Sequence, residues 1–170
     1  VRVFCQEDVL DEGLRIPVDE LWEDARTAAI RGVPALVLSP ENLVLHLAIH
    51  TSTHHIFSDF GVRPLCDMAA VLRWYREELD WAELARRACR WGADRPLYLT
   101  LRLARDLLGA ESPRVSLEKL EPEDFDERYL GFARARLLAE SPGADAQTSN
   151  VLGEAWAARR LSDRVRHIAS

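Results

Sequence analysis

Residues 38–50, with the sequence LSPENLVLHLAIH, decide the fold. Ser39 can cap a helix with its side-chain oxygen, Pro40 suits a first helical turn, and Glu41 places a carboxylate near the positive helix end. The residues that follow are apolar on every side of a helix, apart from two histidines. A helix without a polar face is usually buried all round, so this stretch predicts a central helix that continues to about Phe57.

Helix signals recur along most of the remaining chain, while the first residues favour extended backbone. The predicted helices are residues 19–30, 39–57, 64–75, 80–92, 94–108, 122–140 and 150–168; the predicted extended segments are 1–5, 13–17 and 33–38, and residues 110–121 are a predicted loop. The expected fold is therefore mainly α, a multi-helix, bundle-like domain with a short extended or β segment at the N-terminus. We expect a division into an N-terminal segment, residues 1–38, and a helical domain, residues 39–170.

The predicted core follows from the central helix. We expect at least five helices to pack around it and the side chains of Leu43, Leu47, Leu72 and Leu101 to be buried. Cys66 and Cys89 are predicted to pack as small apolar side chains, because three widely spaced cysteines do not form a disulfide framework.

Composition narrows the class of protein. The chain has 170 residues, of which 48% are hydrophobic and 29% charged, as in globular proteins. Its net charge of −6 argues against a nucleic-acid partner, because neutralising phosphates requires a basic face. No apolar run is long enough to span a membrane and no signal peptide opens the sequence, so we expect no membrane partner and a cytoplasmic location.

Four of the five histidines lie within residues 46–55 and form the strongest candidate site. His46, His50 and His54 follow one another at steps of four, which places them on one slanting stripe of an α-helix. Two neighbouring members could share a metal ion, with Asp67 or Cys66 on the next helix as a further ligand. The alternative is that the histidines are hydrogen-bonded within the fold, to Asp67, Ser52, Asp59 or backbone carbonyls. We predict that at least one of His46, His50 and His54 forms a hydrogen bond with Asp67.

Several short motifs of this sequence resemble those of the family of uncharacterised nucleotidyltransferases. The resemblance covers roughly residues 18–110. The motifs are Leu21-Trp22-Glu23, Leu38-Ser39-Pro40-Glu41-Asn42-Leu43, His46, His50 and His54, Leu65-Cys66-Asp67, Asp80-Trp81, and the stretch from Ala88 to Gly92. Asn42 stands where this family usually has an acidic residue.

The resemblance implies a catalytic module of the polymerase-β type, followed by a helical part. That module holds Mg²⁺ and a nucleoside triphosphate with a Gly-Ser or Gly-Gly turn and an Asp-x-Asp pair on a strand. Neither feature is present in this sequence: Gly109 is followed by alanine, and Asp124 and Asp126 belong to a predicted helix start. The resemblance therefore implies Mg²⁺ and a nucleotide for an upstream module and assigns no catalytic residue or cofactor to this chain.

Three functional hypotheses remain open at this stage. The first is the helical substrate-side or regulatory region of a nucleotidyltransferase-like protein, with the upstream module or a small-molecule or nucleotide substrate as its partner. The second is a free-standing helix-bundle metalloenzyme that uses His46, His50 and Asp67. The third is a helical interaction domain without catalytic activity. The strand-like start at Val1 favours the first hypothesis, because a lone strand needs a partner and an upstream sheet would supply one.

Overall fold

The fold is mainly α-helical with a small two-stranded sheet near its N-terminus, as predicted. The computed structural model describes residues 14–54, 57, 60–111, 114–122 and 125–139. Its elements are α1 (Val18–Glu23), β1 (Arg26–Ile30), β2 (Val33–Val37), α2 (Pro40–Ile49), a π-helical segment (His50–His54), α3 (Arg63–Trp74), α4 (Trp81–Trp91), α5 (Asp94–Leu108), α6 (Arg114–Leu120) and α7 (Glu127–Leu137). Within these residues, no helix is both long enough and apolar enough to span a membrane.

The helix at the centre of the fold is α5. It packs against α2, α3, α4, α6, α7 and the π-helical segment, whereas α2 packs mainly on α3, α4 and α5. The prediction that at least five helices surround α2 was therefore wrong, because α6 and α7 pack on α5 instead. Every residue of α5 from Arg95 to Leu101 is buried, which explains its central position.

The predicted core was correct on α3 and α5 and incomplete on α2. Leu72 and Leu101 are buried, but Leu43 and Leu47 are only half-buried. The fully buried apolar side of α2 is formed instead by Val44, Leu45, Ala48 and Ile49.

The predicted helix ends agree with the structure where they depend on local caps. The Ser39 hydroxyl accepts a hydrogen bond from the Asn42 amide, and the Asp80 carboxylate accepts two, from Ala82 and Glu83. Gly92 and Gly109 follow α4 and α5 in the left-handed conformation, with φ of 70° and 65°. Glycine adopts this conformation without the steric cost of a Cβ atom, so it ends helices readily.

The predicted helix over residues 19–30 was wrong beyond Glu23. Residues 26–37 form an antiparallel hairpin in which Ile30 pairs with Val33 across a two-residue turn. Arg31 and Gly32 both have positive φ, 51° and 81°, as this tight hairpin turn requires. The right-handed twist of the two strands matches that turn, and the pairing overrides the helical propensity of the alanines in β1.

Three other predictions were corrected. The predicted loop 110–121 contains α6, whose Leu117 and Leu120 are buried against the core, and α7 begins at Glu127 rather than at residue 122. Cys66 and Cys89 are exposed rather than packed in the interior. The predicted strand 1–5 and helix 150–168 lie outside the described residues.

Leu45 and Leu47 provide a test of which side of α2 faces the core. Leu45 is fully buried, so Leu45→Ala should lower the free energy of unfolding by about 2–5 kcal/mol through lost burial and a residual cavity. The matched variant Leu47→Ala should cost clearly less, because Leu47 is half-buried. Chemical denaturation measures both, and an equal or larger cost at Leu47 would contradict the orientation of the helix.

Candidate functional site

One side of α2 is less buried than the rest of the helix and carries two of the predicted site residues. Leu43, His46, Leu47 and His50 are half-buried and follow the i, i+3, i+4, i+7 spacing of one helix face. The rings of His46 and His50 stack with centroids 5.6 Å apart and an angle of 13° between their planes. We call this surface the histidine face of α2.

The third histidine of the stripe, His54, lies in a different kind of helix. From His50 to His54 the backbone is π-helical, with turns wider than those of an α-helix. Four residues in this segment therefore rotate about the helix axis by a different angle from four residues in an α-helix. The slanting stripe of histidines predicted from sequence does not continue to residue 54. Three hydroxyl groups accompany this change: Thr51, Ser52 and Thr53 donate hydrogen bonds to backbone carbonyls three or four residues earlier.

Asp67, the fourth predicted site residue, is exposed on α3 beside Cys66, while Leu65 and Met68 of that helix face the core. This position does not support the predicted hydrogen bond from a histidine. In the part of the chain that the structure describes, which includes His46, His50 and Asp67, no group of three or more His, Cys, Asp or Glu side chains could hold a metal ion. These described residues therefore do not bring together the ligands that a zinc site would need.

Burial changes the chemistry of His46. Loss of contact with water disfavours the charged imidazolium and lowers the pKa of this histidine below its usual value. A neutral imidazole has one N–H donor and one acceptor nitrogen, so deprotonation changes which hydrogen bonds the His46 ring can make.

The lowered pKa of His46 predicts a pH dependence of stability. The unfolded chain takes up this proton at a higher pH than the folded protein does. The free energy of unfolding should therefore fall as the pH drops through about 6.5 toward the folded pKa, and it should be retained at higher pH. His46→Gln should remove this part of the dependence. Imidazole titration by NMR checks the cause, and a His46 pKa at or above the usual histidine value would contradict it.

A second polar cluster, which sequence reasoning missed, joins three helices. We call it the Asn42 junction: Glu20, Asp24, Asn42, Glu83 and Arg87. The side chain of Asn42 is completely buried, and its amide nitrogen donates to the backbone carbonyls of Glu20 and Leu21 at 3.3 and 3.1 Å. The last carbonyls of a helix have no partner within it, so Asn42 satisfies two such groups of α1 from the start of α2.

Arg87 connects the same amide to α4. Its Nη1 donates to Asn42 Oδ1 at 2.8 Å, while its other nitrogens donate to Glu83 and Asp24. Burial by itself would lower the pKa of Arg87, but the hydrogen bonds to Glu83 and Asp24 outweigh this effect and raise it. Hydrogen bonds from Arg87 and Arg86 lower the pKa of Glu83. The guanidinium is thus held in its charged form between three elements.

Glu41 makes a further connection from the start of α2. Its carboxylate is buried and accepts a hydrogen bond of 2.9 Å from the backbone amide of Asp80, the N-cap of α4. The spacing of Glu83 and Arg87 could have predicted an ion pair on α4. No local signal pointed to the contacts of Arg87 with Asn42 and Asp24, which lie far away in the sequence.

The geometry thus defines a mainly helical protein with a histidine face on α2 and a buried polar junction, without a set of metal ligands among its described residues. A family model for uncharacterised nucleotidyltransferases matches residues 6–109, more than half of the chain. The protein belongs to this family. Comparison with curated proteins gives no match, and comparison with solved structures gives none either.

Three of the motifs that carried the family resemblance lie at or beside the Asn42 junction. Residues 38–43 supply the cap of α2, the carboxylate of Glu41 and the amide of Asn42. Residues 80–81 begin α4, and Trp91 near its end donates from its indole nitrogen to Glu20 at 3.3 Å. These three motifs therefore connect α1, α2 and α4.

Two substitutions at Asn42 test the junction. Asn42→Leu removes both donors to α1 and the acceptor for Arg87, and it should lower the free energy of unfolding by about 1–3 kcal/mol or more. Asn42→Asp keeps an acceptor for Arg87 but turns a carboxylate toward two carbonyl oxygens, so it should also destabilise, though less. Chemical denaturation of the two variants distinguishes these roles, and wild-type stability of Asn42→Asp would show that the donors contribute nothing.

Proposed function

We propose that this chain is the helical substrate-side or regulatory region of a nucleotidyltransferase, and that the catalytic Gly-Ser and Asp-x-Asp module lies outside these 170 residues. The observation that carries the proposal is the family match over residues 6–109, combined with a sequence in which that turn and that pair of strand carboxylates do not occur. Family membership supports the transferase class. The missing motifs support a catalytic module outside these residues, with substrate binding or regulation in this chain.

The histidine face of α2 is the surface that we assign to the substrate. It is half-buried, so a bound molecule would be partly removed from water, where hydrogen bonds are stronger than on an open surface. Two stacked imidazole rings and the side chains of Leu43 and Leu47 form this surface. This combination suits a small molecule or nucleotide with both polar and apolar parts.

Mg²⁺ and a nucleoside triphosphate belong, in this proposal, to the module outside the chain. Polymerase-β-type chemistry uses carboxylates to hold the metal ion that carries the triphosphate. The described residues do not provide such a ligand set. In this proposal the described residues bind and position the substrate or regulate the module.

The proposal predicts that the purified 170-residue chain transfers no nucleotide from any nucleoside triphosphate in the presence of Mg²⁺. A longer gene product that carries the module upstream of Val1 should transfer one. The measurement is incorporation of labelled nucleotide, with a denatured sample as the blank. Robust Mg²⁺-dependent transfer by the 170 residues alone, or a start codon directly before Val1, would overturn the proposal.

The same longer product tests the substrate side. His46→Gln and His50→Gln should raise KM for the acceptor or the nucleotide about 10-fold, the loss expected from one hydrogen bond at a partly buried site. Trp74→Ala is the control, because Trp74 is exposed on α3 and has no assigned role. Equal KM values for the histidine variants and the control would remove the histidine face from the substrate site.

A further inference from the structure

The residues before α2 form a layer that the core does not enclose. From residue 14 to residue 38 no side chain is fully buried, whereas residues 39–42 are all buried. We call residues 14–38 the N-terminal arm; it comprises α1 and the hairpin. At the hairpin tip, Ile30 and Val33 are 61% and 64% exposed.

The arm has little apolar contact with the rest of the protein. Leu14, Ile16 and Leu21 are its partly buried side chains that pack against the core cluster. Burial of apolar area is the main source of folding free energy, so three half-buried aliphatic side chains stabilise the arm far less than the core stabilises the helices.

The arm also has polar contacts: two reach Asn42 of α2, and most of the others reach α4. Arg87 binds Asp24, Arg90 binds Glu20, and the carbonyl of Trp91 accepts a hydrogen bond of 2.9 Å from the amide of Arg15. The hairpin adds an ion pair at 2.6 Å between Arg26 and Glu78, in the segment just before α4.

The ion pairs of this interface are partly exposed to solvent, and Arg87 is the least exposed of their side chains. The side chain of Arg87 is only 14% exposed, but that of Asp24 is 49% exposed, and the other two ion pairs are also partly open to water. Salt weakens exposed pairs much more than buried ones. The attachment of the arm should therefore respond to ionic strength, whereas the apolar core beneath it should not.

From this arrangement we propose that the N-terminal arm undocks from α4 as a unit while the helices α2 to α5 stay folded, and that Arg87 is the latch that holds it. Proteins open locally in contiguous units whose stability lies below that of the whole, and units with few buried apolar contacts open first. Arg87 links the arm, α2 and α4 through one charged side chain, and it also holds the amide of Asn42, which bonds the arm from α2. The proposal concerns the motion of this chain alone and does not depend on the proposed transferase role.

Amide hydrogen exchange followed by NMR tests the latch. The amide of Arg15 reports docking through its bond to Trp91, and the amides of Leu101 and Leu103 report the core. Arg87→Gln should accelerate exchange at Arg15 about 10- to 100-fold, the factor expected from losing charge-assisted hydrogen bonds, and leave Leu101 and Leu103 unchanged. Arg86→Gln is the matched control: it removes a neighbouring arginine that also binds Glu83 but does not reach the arm.

The wild-type protein provides a second measurement that needs no variant. Raising NaCl from about 0.05 M to about 1 M shortens the Debye length to about 3 Å and should accelerate exchange at Arg15 selectively. Acceleration at Arg15 and Leu101 together, in Arg87→Gln or in salt, would overturn the proposal by showing that the arm opens only with the whole fold. Unchanged exchange at Arg15 in Arg87→Gln, or equal effects of Arg86→Gln and Arg87→Gln, would also overturn it.

Discussion

The enclosure of α5 is the constraint on which the rest of the structure depends. A helix that is buried around almost its whole circumference needs apolar partners on every side, and α5 obtains them from α2, α3, α4, α6 and α7. The seven-residue helix α6 is explained by the same need, since Leu117 and Leu120 are buried against the core in a segment predicted to be a loop. Tertiary packing therefore fixes an element whose local sequence signals are weak.

The N-terminal arm is stabilised differently from the helical core, because it lies outside the layer of helices around α5. Its hairpin has no fully buried residue, and two short strands without a covered apolar face are marginally stable by themselves. Specific polar contacts to Asn42, Arg87 and Arg90 replace apolar burial there. A fully buried asparagine is tolerated because both its oxygen and its nitrogen have partners, which avoids the cost of an unsatisfied polar group.

Local chemistry explains which parts of the fold were predictable from sequence. The caps at Ser39 and Asp80 and the glycine after α5 act within a few residues. The helix ends that they define could therefore be predicted from the sequence. Only half of the hairpin was predictable: residues 33–38 were expected to be extended and contain β2, but β1 was not, because the turn requires a positive φ at Arg31, a residue type that gives no signal for it. The Asn42 junction was equally hidden, since its partners are brought together only by the packing of α1, α2 and α4.

The predicted histidine stripe is present only for its first two members, and the physical reason lies in how α2 ends. The spacing of His46 and His50 on an α-helix places them on one face, and in the structure their rings stack. The continuation to His54 assumed an unchanged helix, whereas three successive hydroxyl residues there bond back to the carbonyls of the preceding turn and the backbone widens. The side of α2 that faces the core is fixed by Val44, Leu45 and Ala48, whereas the histidine face is only half-buried and contacts the core through Leu47. This separation of a packed side from a half-open side makes α2 both a support of the fold and the surface that we assign to the substrate.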